Sequence, residues 1–172
     1  VTGLTAGTVY NVWVRSNCGA ASCWVKSTSV TTPCSSVNVP YGMFADPVGD
    51  SFAVPALPAC TTIQQLNTAT NAVNWVTAPA SFGDGFFDEH LVYNGNSTTA
   101  NVWYFTRGVN LTAGTVYRLS YLYGGSTDFA FLTNRMEVAY GLSPCAASMT
   151  TQLANHPNIK ASPIDGIVNF TC

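Results

Sequence analysis

The heptapeptide Leu4-Thr-Ala-Gly-Thr-Val-Tyr10 returns letter for letter at Leu111-Thr-Ala-Gly-Thr-Val-Tyr117, and each copy runs directly into a strand-like segment. The segment is Asn11-Val-Trp-Val-Arg15 in the first copy and Arg118-Leu-Ser-Tyr121 in the second. Glycine admits a tight turn of positive φ, and leucine plugs the core ahead of it. The tyrosine three residues beyond can bury its ring while its hydroxyl returns to the turn backbone. That combination is a strand-entry corner of β-sandwich proteins. Because the sequences diverge after the shared heptapeptide, we read similar corners in two different sandwiches and not a repeat array.

Working outward, helix periodicity is hard to find, whereas β-branched and aromatic residues alternate between Gly, Pro, Asn and Ser along the whole chain. The reading is all-β. Residues 8–15 and 24–32 form a hairpin around the segment from Cys18 to Cys23. Pro33, Pro40 and Pro47 then punctuate an irregular stretch, and because proline denies a ladder donor we place a module boundary near residues 33–36. Two units are expected, residues 1–33 and 34–172. Further short strands are expected at 51–54, 74–77, 89–93, 100–105, 115–122 and 136–140. A single helix is the expectation near 146–154, where Met149 and Leu153 fall four apart.

The 172 residues are 47% hydrophobic and 12% aromatic, with only 8% charged. Solubility therefore rests on hydroxyls and amides, and the composition opposes disorder. Six Lys and Arg against eight Asp and Glu, a net charge of −2, assemble no basic surface, which excludes nucleic acid as a partner. No run of eighteen apolar residues is present, so membrane insertion by a helix is not expected.

The six cysteines, Cys18, Cys23, Cys34, Cys60, Cys145 and Cys172, are an even set and suggest disulfides in an oxidising, extracellular location. Zinc is disfavoured, because His90 and His156 lie far from any cysteine in sequence. Several connectivities are open. Pairing nearest neighbours, Cys18 with Cys23, Cys34 with Cys60 and Cys145 with Cys172, closes short loops and is the working expectation.

Neither histidine belongs to a nucleophile motif such as Gly-x-Ser-x-Gly, and no enzymatic activity is expected. His156 reads as an exposed loop residue and His90 as a strand start. The acidic residues gather at Asp46-Pro-Val-Gly-Asp50 and at Gly83-Asp-Gly-Phe-Phe-Asp-Glu89. Asp46 and Asp50, or Asp84 and Asp88, are therefore rival ligand sets for a structural calcium ion, and the same Gly and Asp residues equally suit plain turns. Aromatic rings can stack on sugars while hydroxyls and amides satisfy the sugar oxygens. Trp75 and Tyr104 are the candidates for such exposure. In Trp103-Tyr104-Phe105 alternation puts Trp103 and Phe105 on one face, and at least one aromatic of the three belongs to the core. Trp13 and Trp24 are assigned to module packing.

Residues 4–32 resemble the last two strands of a fibronectin type III module, the match being carried by Leu4, Gly7, Tyr10, Val12 and Val14. From Tyr41 onward the chain is similar to the MAM-like jelly-roll modules of cleaved-adhesin or choice-of-anchor type found in large exported bacterial proteins. Leu57-Pro-Ala-Cys60, Asn101-Val-Trp-Tyr-Phe-Thr106, the second heptapeptide, and Met136-Glu-Val-Ala-Tyr-Gly-Leu-Ser-Pro144 carry that likeness in order. Thr61 stands where that family often has Trp. The resemblance implies a chain that opens inside one module and stops before the last strands of the next. It further implies a non-catalytic adhesion or binding role at the cell surface or in the secreted state. A carbohydrate or surface protein is the implied ligand, with neighbouring modules as contacts. A subunit of an extracellular filament or layer, built by self-association, is the alternative, as are accessory modules of a secreted protease or hydrolase.

Overall fold

The computed structural model describes residues 2–18, 20–43, 49–50, 57–68, 74–79, 85–93, 100–125, 134–159 and 163–172. The protein is all-β: strands make up 48% of the structure, and among the described residues no helix reaches seven residues. No described helix is long and apolar enough to cross a membrane.

The first hairpin is one antiparallel ribbon broken into three ladders. β1 (Val9–Tyr10) pairs with β6 (Val30–Thr31), β2 (Trp13–Val14) with β5 (Val25–Lys26), and β3 (Asn17–Cys18) with β4 (Ala20–Ala21). The register slips between successive ladders, so the returning strand carries an extra residue at each break. Serines close these bulges. The Val12 N–H donates to Ser27 Oγ at 3.3 Å and the Ser16 N–H to Ser22 Oγ at 3.0 Å, while the hydroxyls donate onward to the carbonyls of Thr28 and Cys23. Thr32 repeats the device at the base, where its Oγ1 accepts from the Thr8 N–H at 2.9 Å. A side-chain oxygen thus satisfies each amide that a bulge removes from the ladder.

Both heptapeptides form the expected corner. Gly7 and Gly114 have φ of 66° and 77°, and the phenolic oxygens of Tyr10 and Tyr117 accept from the N–H groups of Thr5 and Thr112 at 2.9 and 2.7 Å. The partner strands are held alike. The Gly7 N–H donates to the Thr32 carbonyl and the Thr32 N–H to the Thr8 carbonyl; the Gly114 N–H donates to the Cys172 carbonyl and the Cys172 N–H to that of Thr115. Identical sequence gives identical local bonding in two settings.

Beyond the hairpin, β7 (Val37–Asn38) runs parallel to β14 (Val109–Asn110), tied by Asn110 Nδ2 to Asn38 Oδ1 at 2.9 Å and by Arg107 Nε to the Ser35 carbonyl at 2.9 Å. β8 (Gly42–Met43) lies parallel to β9 (Gly49–Asp50), β10 (Thr62–Gln65) pairs antiparallel with β13 (Val102–Phe105), and β11 (Val76–Ala78) with β12 (His90–Val92). The longest ribbons are β15 (Val116–Tyr123) with β18 (Ile164–Thr171) and β16 (Asn134–Tyr140) with β17 (Thr151–Ile159), the second hairpin being inserted in sequence between the strands of the first. Aromatic rings join the two, Tyr140 against Phe170 at 5.4 Å and Tyr123 stacked on His156 at 3.9 Å. Thr77, Ala78, Phe105 and Ile159 are the buried centre among the described residues.

Several expectations are corrected. Residues 146–154 are not a helix: a 3-10 turn at Ala146–Ser148 gives way to β17, because β-branched Thr150 and Thr151 favour extension and β16 supplies the ladder. Leu153, half of the supposed helical pair, falls at a register slip of β17, and Pro157 occupies another, where its missing N–H costs no ladder bond. His156 is not a loop residue but a half-buried member of β17. The expected strand at 51–54 lies outside the described residues.

One of the three expected disulfides forms, Cys34 to Cys60. Cys23 is a free, exposed thiol, so the Cys18–Cys23 bridge is not made. The register explains this, since Cys18 faces Ala20 across the turn while Cys23 belongs to the bulge beyond Ser22. Cys145 and Cys172 are also free. Cys145 precedes the 3-10 turn, whereas Cys172 is laddered to Thr115 behind the second corner. Closeness in sequence at the two ends of β17 and β18 does not become closeness in space.

Candidate functional site

The outer face of the first hairpin gathers the most concentrated recognition chemistry. Trp13 lies directly opposite Lys26, and two residues along the same register Arg15 meets Trp24. Alternation puts all four side chains on one face, with Val14 and Val25 on the other. The Arg15 guanidinium carbon sits 4.7 Å from the Trp24 ring centre and Lys26 Nζ 6.0 Å from that of Trp13. The result is a checkerboard of two indoles and two cations. Each cation–π contact contributes roughly 0.5–1 kcal/mol at an exposed site, which biases the cations toward the rings without fixing them, since ordering a Lys or Arg side chain costs about 1.5–2 kcal/mol. Trp13 and Trp24, assigned from the sequence to module packing, are 53% and 55% exposed within this chain.

Electrostatics sharpen the picture. No Asp or Glu occurs before Asp46, so Arg15 and Lys26 are the only charged side chains of the first 45 residues. A chain of net charge −2 therefore carries a local patch of +2. Two of the six basic residues stand on this one face.

The sugar-stacking candidates are placed differently. Trp75 is half-buried, its Nε1 donating to the Val102 carbonyl at 3.2 Å and its ring tilted against Tyr93 at 5.8 Å. Tyr104 is half-buried too, its hydroxyl 3.3 Å from Met43 Sδ. Both direct polar atoms inward. Trp103 and Phe105 share a face, stacked at 6.2 Å, with Phe105 in the core as alternation requires. Of the calcium candidates, Asp46 and Asp84 and the side chain of Asp50 lie outside the described residues, and Asp88 is exposed. Among the described residues no three His, Cys, Asp or Glu side chains converge.

A second feature is a shallow groove of about 410 Å³ on the β15–β18 ribbon, lined by residues 118, 120–122 and 165–167, Arg118, Tyr121 and Asp165 among them. The Tyr121 hydroxyl shares a hydrogen bond with His156 Nε2 at 2.7 Å, and burial pushes the Tyr121 phenol pKa upward. The Cys145 thiol is lowered by hydroxyls of Ser143 and Ser148, the latter 3.0 Å from its sulfur. His90 Nδ1 lies 2.8 Å from the Asp88 carbonyl and its ring stacks on Phe86 at 4.8 Å.

Sequence reasoning passed over the hairpin face because a lone Trp on a strand reads as core; the signal was there in the pairing of Trp13 and Arg15 with Trp24 and Lys26 at alternate positions. No family model, curated protein or solved structure matches the chain.

Proposed function

We propose that the chain is a non-catalytic binding region of a larger exported protein, which holds a carbohydrate or protein ligand at the cell surface or in the secreted state. The hairpin face of Trp13, Arg15, Trp24 and Lys26 is the contact surface, and its exposed aromatic–cation checkerboard is the observation that carries the reading. Large aromatics and Arg dominate recognition surfaces because they bring contact area and directed donors together. The intramolecular disulfide is compatible with an extracellular location. In this reading the hairpin belongs to a fibronectin-type sandwich and the rest to an adhesin-like jelly roll, with structural calcium at Asp46 and Asp50 or at Asp84 and Asp88. Arrays of glycans and matrix proteins test it: a ligand is expected whose retention falls in Trp13→Ala/Trp24→Ala, and blank arrays overturn the reading. Calcium is tested by the shift in unfolding temperature on adding a chelator.

Self-association into a filament or layer is the second reading. Val116, Leu122 and Ile167 are 66%, 57% and 55% exposed on one face of the β15–β18 ribbon, beside Arg118 and Asp165, and such exposed apolar side chains favour contact with another copy. Ordered polymers by electron microscopy are the expected outcome there; a monomer at high concentration removes it.

A further inference from the structure

We infer that the outer face of the hairpin is a subsite for a carboxylated polysaccharide, a chain of uronate-type sugars. This deepens the binding reading above and rests on it. Three observations converge. First, the face is cationic and without acidic neighbours in sequence, since no carboxylate occurs before Asp46, and neither Arg15 nor Lys26 makes an ion pair among the described residues. An anionic ligand would complement that charge.

Second, the stacking leaves the recognition atoms available. The Arg15 guanidinium carbon lies 4.7 Å from the Trp24 ring centre, a contact that uses no oxygen acceptor, so its fork of N–H donors, which matches a carboxylate, remains to be engaged. Third, the indoles stand beside the cations, half of each still open. An indole offers an apolar platform for the C–H face of a pyranose. One cation beside one indole therefore matches one sugar bearing one acid group, and the face repeats that unit across the ribbon. Two isolated cations suit sparse single carboxylates better than the dense charge of a sulfated polymer. Because cations resist burial, the face stays in water whatever packs against Val14 and Val25 behind it.

The test is titration of the full chain, followed by tryptophan fluorescence and affinity electrophoresis, with polygalacturonate, dextran sulfate, neutral dextran and poly-glutamate. Polygalacturonate is expected to perturb the fluorescence, to weaken several-fold as salt rises, and to lose about tenfold or more in Arg15→Gln/Lys26→Gln. Arg135→Gln, a change at an exposed arginine elsewhere, is expected to leave it unchanged. Absence of polygalacturonate binding overturns the inference, as does binding insensitive to the double substitution. Equal binding of dextran sulfate or poly-glutamate overturns it as well, by showing general polyanion capture. If neutral dextran or a matrix protein binds through Trp13 and Trp24 while polygalacturonate does not, this inference falls and the binding reading stands. If nothing binds, both fall.

Discussion

At the scale of single residues, three tyrosines titrate in two opposite senses. The Thr5 and Thr112 backbones donate to the phenolic oxygens of Tyr10 and Tyr117 and lower both pKa values below 10, because a phenolate accepts those bonds better than a phenol. A lowered folded-state pKa means that stabilisation from these corners is fully present above the unfolded value of 10 and is lost as pH falls through the lowered one. Tyr121, raised by burial, works the other way: its contribution holds below pH 10 and is lost as pH rises through its raised value. An ultraviolet phenolate titration should show an early component that disappears in Tyr10→Phe/Tyr117→Phe, with faster amide exchange at Thr5 and Thr112. Gly166 faces Tyr121 across the β15–β18 ladder, and a Cβ there would meet the Tyr121 ring at 2.4 Å. Gly166→Val should displace that ring, cost about 1–3 kcal/mol by overpacking, and break the Tyr121–His156 bond, read by urea unfolding and by the His156 imidazole resonances. The Cys145 thiol, lowered by its serine partners, should alkylate at lower pH than in Ser143→Ala/Ser148→Ala.

At the scale of elements, the first corner of the hairpin packs on the Cys34–Cys60 disulfide. A Cβ on Gly7 would lie 3.0 Å from Cys34 Sγ and 3.5 Å from Cys60 Sγ, so the first corner rests on the bridge. Cys60 itself has φ 65°, a left-handed conformation unusual for a residue with a side chain, within the turn where Thr61 Oγ1 donates to the Pro58 carbonyl at 2.7 Å. The bridge closes a sequence separation of 26, for which chain entropy predicts about 3–4 kcal/mol. Cys34→Ala/Cys60→Ala should lose that amount in urea unfolding and release Gly7 amide protection. Along the hairpin, Ser22→Ala should expose the Ser16 amide to exchange and Ser27→Ala the Val12 amide, because a hydroxyl stands in for the carbonyl that each bulge displaces.

At the scale of the whole molecule, many large apolar side chains among the described residues stay exposed. Val9, Val14, Val25 and Val30 are each more than half exposed, while the buried apolar side chains among the described residues are Ala78, Phe105 and Ile159. The aromatic seam between the long ribbons, Tyr117, Tyr121, Tyr123 and Phe170 against Tyr140 and His156, is the inner counterpart of a mixed face that carries Arg118 and Asp165 beside the exposed Val116, Leu122 and Ile167. Alternating burial along β15 and β18 sorts these two sets of side chains.

What the amino-acid sequence determined by itself was local. The all-β character, the two glycine–tyrosine corners and the first hairpin follow from period-two alternation, from a glycine at positive φ, and from hydroxyls that reach only a few residues along the chain. Tertiary structure alone decided the rest. Which cysteines meet depends on strand register, so Cys34 reached Cys60 while Cys145 and Cys172 stayed apart. Whether residues 146–154 coil or extend depends on the ladder that β16 offers. Whether Trp13 and Trp24 are core or contact surface depends on what lies across the hairpin from them, and a cation opposite each indole keeps that face in water.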